Sequence, residues 1–500
     1  MLSTEARGGV SLRDLLPAAR FVRAIDVRAT SCCTRADRCQ RGDVFVALAA
    51  ADYDGHEHAA EALERGASAV IAERLLPVEK PLVLVDDSRE ALGEICQALV
   101  DRPSDTLRTI GVTGTHGKTT ASWLLGSVLQ AADRQVGLLT SAAYSDSHEC
   151  ARARSATPPA PELARWLARM TAAGCDSAVL EVSSQGLAER RVAGIDFDAA
   201  VITNLGRAHL KLHGSLANYH RAKQRLLAML KPGGFAVLNA DDEACQRLAA
   251  AIDVPLLTYG MFSEADVTAE VIERQRSEQT FYLQAGDDLA PVRTRIIGDA
   301  HVSSCLAAAT VGLALGIELP AIVRGLESVA CIPGRLERIE CGQEFGVFVD
   351  EARSSERVAY MLRTLRKVTS GRLICVAGAA GGRGKSSRPR LGRVLERSCD
   401  LPILTADNPR YEQPLAIVHD LLDGFQRPAK AHVLPDRKRA IELALAWARP
   451  GDTVAILGKG DRQGQVIGSR QLEHDDAEVA RDWLYHGGQQ TQRPRFRVVG

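Results

Sequence analysis

The sequence predicts an α/β protein of three domains, on three observations. The chain is longer than one core organises, short apolar runs alternate with helical patterns, and a glycine-rich loop sits between a strand and a helix. Its length is 500 residues, whereas single hydrophobic cores stop growing at about 250 to 300 residues. Hydrophobic residues make up 46% and charged residues 25%, the composition of an ordinary globular protein. Lys+Arg and Asp+Glu both number 62, so no bulk field exists to hold a polyanion, and nucleic-acid binding is not expected. No uninterrupted apolar stretch approaches about 18 residues, and Met1 to Gly9 has no apolar signal core. A soluble, cytoplasmic protein without membrane insertion is expected. The 12 cysteines are scattered, some in apolar runs (Cys175, Cys375), and read as reduced thiols. Cys32, Cys33 and Cys39, with His56 and His58 downstream, offer zinc-ligand atoms, but the adjacent pair lacks the gap that tetrahedral ligation favours.

Taken in order, β-type runs at 43–48, 69–72 and 81–85 alternate with a helical stretch at 58–65, which predicts a small first domain over 1–105. A strand at 109–113, a glycine-rich loop, a long helix at 118–132 and strands at 177–182 and 199–203 follow. That alternation predicts a parallel sheet with crossover helices, in a central domain over 106–332. Pro333-Gly334 punctuates the chain after a helical run beginning near Ser303. Beyond it, strands at 347–350, 372–377, 401–405 and 453–457 alternate with helices, predicting a doubly wound third domain over 333–500. There is no tandem repeat, and only 487–494 reads as a polar stretch.

The segment Gly111-Val112-Thr113-Gly114-Thr115-His116-Gly117-Lys118-Thr119-Thr120 follows the predicted strand and opens the predicted helix. In that context the glycines let backbone N–H groups close around phosphate oxygens, and the helix N-terminus adds its positive end. Lys118 then meets the β- and γ-phosphates and Thr119 ligates Mg²⁺. Gly114, Thr115, His116, Gly117, Lys118, Thr119 and Thr120 are the expected ATP contacts. The loop is tighter than the common Walker pattern, with only Thr115 and His116 between Gly114 and the Gly-Lys pair. Glu181 falls at the C-terminal end of a buried strand, where a carboxylate faces the nucleotide crevice and can hold Mg²⁺.

The compact Thr-Gly-Thr-x-Gly-Lys-Thr-Thr form resembles the loop of the Mur ligases and of their relative folylpolyglutamate synthetase. Segments 181–187, 190–198, 204–210, 213–223, 333–337 and 407–410 resemble the tripeptide-synthetase branch of the Mur ligases in order and spacing, over nearly the whole chain. The resemblance implies a small N-terminal α/β domain, a central P-loop ATPase-type domain and a C-terminal Rossmann-like domain. It implies a monomeric ATP-dependent ligase of peptidoglycan synthesis. Such an enzyme passes the γ-phosphoryl of ATP to the carboxylate of UDP-N-acetylmuramoyl-L-alanyl-D-glutamate, and an amino acid attacks the acyl phosphate.

By the same resemblance Lys118, Glu181, His209 and Lys223 are catalytic. Thr119, Glu181 and His209 hold two Mg²⁺ ions, and Lys223 is carbamylated, turning a cation into an anionic metal-supporting group. Arg335 and Asp350 join the ATP site. Thr157, Ser184, Arg191, Arg383, Asp407, Asn408, Arg410 and Gly458 bind the two substrates. Asp407-Asn408-Pro409-Arg410 resembles the signature of enzymes that add meso-diaminopimelate, whose second carboxylate suits the planar fork of Arg410 and is lacking in lysine.

Several positions depart from the family pattern. Arg35-Ala36-Asp37 stands where the family carries Asp-Ser-Arg for the uridine nucleotide, Ala208 and Lys211 flank His209 in place of two aspartates, and Gln185 replaces a histidine. His301 and Ser304 replace asparagines of the adenine-binding helix. Further on, Asp350-Glu351-Ala352-Arg353-Ser354-Ser355 replaces Asp-Tyr-Ala-His-Thr-Pro, and Gly381-Gly382-Arg383-Gly384 has lost two carboxylates. Asp461 and Arg462 replace the His-Glu that ends Gly-Lys-Gly-His-Glu, so Arg462 is expected to repel the diaminopimelate amine. Two readings follow: a ligase with altered contacts, or a paralogue that binds nucleotide without ligating.

Overall fold

The structure is a computed structural model that describes residues 9–50, 52–208, 210–382 and 384–487. His209, Arg383 and most of the polar stretch 487–494 lie outside the described residues. The fold is α/β, as the alternation of patterns predicts, and the chain forms two compact units. One extends to Ala269 and takes in Leu283–Ala290 and Ser303–Leu326; the other comprises Glu270–Tyr282, Pro291–Val302 and the chain from Glu327 onward.

In the first unit, a five-stranded sheet runs in the order Arg20–Val22, Leu82–Leu84, Ala69–Ala72, Val44–Val46, Cys32–Cys33. All its pairs are parallel except the first. Every residue of Ala69–Ala72 is buried, the mark of a parallel strand covered on both faces. The helix Ser88–Ala98 starts at Asp87, whose carboxylate accepts from the N–H groups of Arg89 and Glu90.

The large sheet has eleven strands. Its first eight across are Cys150–Arg152, Ala143–Ser145, Val136–Leu139, Ser177–Glu181, Arg108–Thr113, Phe197–Ile202, Leu230–Asn239 and Leu256–Gly260, and the order continues through Val267–Arg274, Gln279–Ala285 and Asp288–Thr294. Arg108–Thr113 pairs in parallel with Ser177–Glu181 on one side and Phe197–Ile202 on the other. The chain leaves it first toward one edge and then toward the other, so a crevice opens at its C-terminal end, where open α/β sheets bind ligands.

The second unit carries a six-stranded sheet in the order Glu337–Arg338, Gly346–Asp350, Thr453–Leu457, Leu373–Ala379, Leu401–Ala406, His432–Val433, parallel after the first pair. Ala440, Ile441, Ala444 and Leu445 form one stripe of the helix Arg437–Trp447 and pack on Val347, Ile374, Ile403 and Ile456. At the start of that helix Arg437 makes a bidentate pair with Asp476, at 2.8 and 2.6 Å, and both side chains are fully buried. Burial works against the Asp476 charge, but Arg437 outweighs it and holds the carboxyl well below the usual range. Asp476→Ala strands a buried guanidinium and is expected to cost about 3 to 5 kcal/mol, read as a lower midpoint in chemical denaturation of the full chain. An unchanged midpoint contradicts this. Among the described residues no helix is long and apolar enough to cross a membrane.

Candidate functional site

Two groups of side chains stand at the C-terminal ends of the parallel strands, one in each unit. In the first, the strand Arg108–Thr113 leads into the glycine loop and the helix Lys118–Ala131 begins directly after it. Gly114 has φ +153°, and a Cβ there would meet the Thr203 hydroxyl at 1.9 Å, so no other residue fits. The loop is pinned by Asn204, whose carbonyl oxygen accepts from the N–H groups of Thr115 (3.1 Å) and His116 (2.9 Å). Thr203 donates to the His116 carbonyl at 2.5 Å.

Thr119 and Glu181, on different elements, meet here: the Thr119 hydroxyl donates to Glu181 Oε2 at 2.9 Å, and the Ser141 N–H donates to the same oxygen at 2.8 Å. Lys118 Nζ lies 4.0 Å from Glu181 Oε1. Lys223 is buried, donates to the Gly114 carbonyl at 2.7 Å and lies 4.5 Å over the Tyr219 ring. Burial first, and then the Lys118 charge, push its amine down to about 6 against the pull of Glu181. Lys223 is therefore largely neutral near pH 7. Tyr219 in turn donates to the Thr115 hydroxyl at 3.1 Å.

Thr157, Ser184 and Arg191 flank this group. Thr157 donates to the Glu181 carbonyl at 2.9 Å, and Arg191 donates to the Thr157 carbonyl at 2.7 Å while pairing with Glu189. The Ser184 hydroxyl lies 3.2 Å from His213 Nε2. Gln185, where the family pattern has histidine, donates to Glu189 at 2.8 Å. Ser304 faces Gly117, whose added Cβ would lie 3.5 Å from its hydroxyl. His301, which belongs to the second unit, is held neutral by burial, its imidazole lowered to about 3.

In the second unit, Asp350, Asp407 and Gly458 each end or directly follow a parallel strand. Asp350 is turned inward, its two oxygens accepting from the N–H groups of Leu336 and Ala352, both at 2.8 Å. The fully buried Lys459 lies 3.4 Å from Asp407 and donates to Asn408 Oδ1 at 3.1 Å. Asp407 and Asn408 thus brace the turn, whereas Arg410, at φ +55°, is exposed, and its side chain makes no hydrogen bond or ion pair among the described residues. Buried Arg388 ties the turn to its neighbour by pairing with Glu412 at 2.8 Å, and Glu412 also accepts from the Gly382 N–H at 2.7 Å.

The substituted residues of this unit find one another. Glu351 is approached by Arg335 (3.1 Å), Arg357 (2.8 Å) and Arg462 (3.6 Å), and Arg335 also reaches Asp461 at 3.5 Å. Burial opposes the Glu351 charge, yet Arg335 and Arg357 keep its carboxyl well below the usual range. Arg462 shares Glu351 with two other guanidiniums, so Glu351 offsets only part of the positive charge expected from sequence.

The structure brings Gly114, Thr115, His116, Gly117, Lys118, Thr119, Thr120, Glu181 and Lys223 together, with Thr157, Ser184 and Arg191 beside them. It brings Arg335, Asp350, Asp407, Asn408, Arg410 and Gly458 to the strand ends of the second unit. His209 and Arg383 are outside the described residues. Sequence reasoning missed Asn204, Tyr219 and Ser141 as loop supports. One signal was available: Tyr219 and Lys223 are four apart on the helix Leu216–Gln224 and so share a face.

The chain matches the Mur ligase middle domain over residues 112–312 and the Mur ligase glutamate ligase domain over residues 334–460. It is 37% identical, over 88% of its length and 91% of the relative's, to a UDP-N-acetylmuramoyl-L-alanyl-D-glutamate--2,6-diaminopimelate ligase of Bacillus licheniformis. A protein of the same name from Gloeobacter violaceus is 38% identical over 96% of both chains. A solved structure of a ligase with that name superposes with a TM-score of 0.70 at 28% identity, covering 96% of this chain and all of the other.

Proposed function

This chain belongs to the Mur ligase family, and from that premise we propose that it is the ATP-dependent ligase joining meso-diaminopimelate to UDP-N-acetylmuramoyl-L-alanyl-D-glutamate in peptidoglycan synthesis. The observation that carries the reading is the intact phosphate loop joined through Thr119 to Glu181, in a chain so similar to ligases of that name over most of its length. Nothing in the comparisons favours the paralogue that binds without ligating.

In this reading the domains are 1–105, 106–332 and 333–500. Gly114 to Thr120, Arg335 and Asp350 bind ATP; Thr157, Ser184, Arg191 and Arg383 bind substrate, with Asp407, Asn408, Arg410 and Gly458; and Lys118, Glu181, His209 and Lys223 serve the chemistry. The oxygen donors of Thr119 and Glu181, with His209, fit a hard cation such as Mg²⁺, two of which would neutralise charge on the transferring phosphoryl group. Thr119 and Glu181 share a hydrogen bond that ion binding would replace. The lowered proton affinity of Lys223 supports carbamylation, because only a free amine reacts with CO₂. A cytoplasmic setting is proposed, the scattered cysteines reading as reduced thiols, and a monomer is proposed.

The direct test is release of ADP and phosphate with UDP-muramoyl dipeptide and a panel of amino acids. No release with any of them sinks the ligase reading. For amino-acid choice, diaminopimelate is expected to outcompete lysine at equal concentration, because lysine leaves Arg410 unpaired. Arg410→Ala should raise the diaminopimelate KM by about tenfold or more, the loss of one charge-assisted pair. A predominant lysine product, or an unchanged KM, contradicts the assignment of Arg410.

A further inference from the structure

The strand Cys32–Cys33 carries thiols on both faces, because successive side chains of a strand alternate. On one face Cys32 Sγ lies 3.8 Å from Cys96 Sγ, an ordinary contact. On the other, Cys33 Sγ lies 2.9 Å from Cys39 Sγ. That is closer than carbon atoms pack, about 3.5 to 4.0 Å, although sulfur is the larger atom. A short further approach reaches the disulfide length of about 2.05 Å. Cys39 is buried and Cys33 half-buried, so an oxidant in solution meets Cys33 first.

We propose that Cys33 and Cys39 are an oxidisable pair, converted by a peroxide into a disulfide that locks the loop between them. The Cys33 sulfur attacks a peroxide oxygen, the O–O bond breaks, and water or an alcohol leaves, giving the sulfenic acid. The Cys39 sulfur then attacks the Cys33 sulfur; the S–S bond forms, the S–O bond breaks, and hydroxide leaves as water with the Cys39 proton. Two thiols supply two electrons to one peroxide.

A metal fits this cluster less well. Asp43 lies within 4.8 Å of both sulfurs. Its oxygens, however, already accept from the Ser31 hydroxyl and, at 2.8 Å, from the Gln40 N–H. Two thiolates on a tetrahedral zinc stand about 3.8 Å apart, given Zn–S of about 2.3 Å, so the pair would have to open. Burial, followed for Cys33 by its contact with Cys39 and for both thiols by the Asp43 charge, keeps the two protonated. Oxidation should therefore be slow at neutral pH and speed up about tenfold per unit as pH rises, following the thiolate fraction.

The loop being locked is distinctive. It holds the turn Ala36–Arg38, an Arg35–Asp37 pair at 3.0 Å, and the Arg35 guanidinium 5.3 Å over the Tyr53 ring. Arg35-Ala36-Asp37 is the segment aligned with the family's uridine-nucleotide contacts, so the effect of locking on substrate rests on the ligase reading; formation of the bond does not.

The test treats the full chain, stripped of metal by a chelator, with hydrogen peroxide, blocks remaining thiols and digests with trypsin. Cleavage after Arg28, Arg35, Arg38 and Arg41 separates the two cysteines, so the disulfide appears as peptide 29–35, its Cys32 thiol carrying the blocking group, joined to peptide 39–41, two hydrogens lighter than the sum of the two. The cross-link should form in Cys32→Ser, fail in Cys33→Ser, and be reversed by dithiothreitol. A Cys32–Cys96 link instead, sulfinic acid at Cys33 without a cross-link, or protection by one equivalent of zinc overturns the pair. The oxidised protein should show a KM for UDP-muramoyl dipeptide changed by threefold or more and restored on reduction. A cross-link with unchanged KM overturns the locking effect. Absence of all ligase activity faults the ligase reading, and the peptide mass in the Cys32→Ser and Cys33→Ser variants still decides the pair.

Discussion

Lys118→Ala lowers kcat/KM for ATP by about a thousandfold or more, because phosphoryl transfer is catalysed mainly by positioning and charge neutralisation, and this ammonium supplies both. The residue opens the helix Lys118–Ala131 and is only partly buried, so its loss leaves the core untouched. The melting temperature should stay that of the parent, and the circular dichroism spectrum should not change. Calorimetry in Mg²⁺ reads ATP affinity separately from turnover. Unchanged affinity together with unchanged turnover removes the phosphate-loop assignment.

Lys223→Ala is the second large effect, a fall in kcat of about a hundredfold or more, recovered in part by a short carboxylic acid that replaces the missing carbamate anion. The parent should not respond to that acid. The sign of the pH dependence follows from an amine lowered to about 6. Above pH 6 the free amine predominates and takes up CO₂; below it the ammonium predominates and does not. Activity should therefore fade in CO₂-depleted buffer, return with bicarbonate, and be harder to restore as pH drops below 6. Carbon-13 NMR of protein loaded with labelled CO₂ should show a carbamate that Lys223→Ala lacks. Full activity without CO₂, with plain lysine at 223, defeats the idea.

What was legible in the sequence was local. The strands 69–72 and 453–457 coincide with the observed elements, since a short apolar run between turn residues leaves little choice. The ten-residue strand Leu230–Asn239 was missed because Lys231-Pro232-Gly233-Gly234 reads as a turn, yet the chain continues through it beside Phe197–Ile202. The strand Gln279–Ala285 and the edge strand Asp288–Thr294 were missed because they carry alternating polar side chains around a short Gly286-Asp287 turn and lack a strong apolar run. At the site, the phosphate loop and Glu181 were readable from their places after strands, whereas the other candidates came only through the family resemblance. The supports Asn204, Tyr219 and Ser141 were not, because their roles depend on contacts from residues far along the chain, 89 positions apart for Asn204 and Thr115. The Glu351 cluster shows the same limit: sequence registers each substitution singly, whereas the approach of Arg462 to Glu351 exists only in space.

The shared carboxylate also bears on how changes at 351 and 462 would combine. Arg462→Glu alone would bring a second carboxylate beside Glu351, while Glu351→Tyr alone would leave Arg335, Arg357 and Arg462 without the carboxylate that all three approach. The two changes should therefore couple: the double variant should lose less stability than the two single losses summed, read as midpoints of chemical denaturation. Additive losses contradict this.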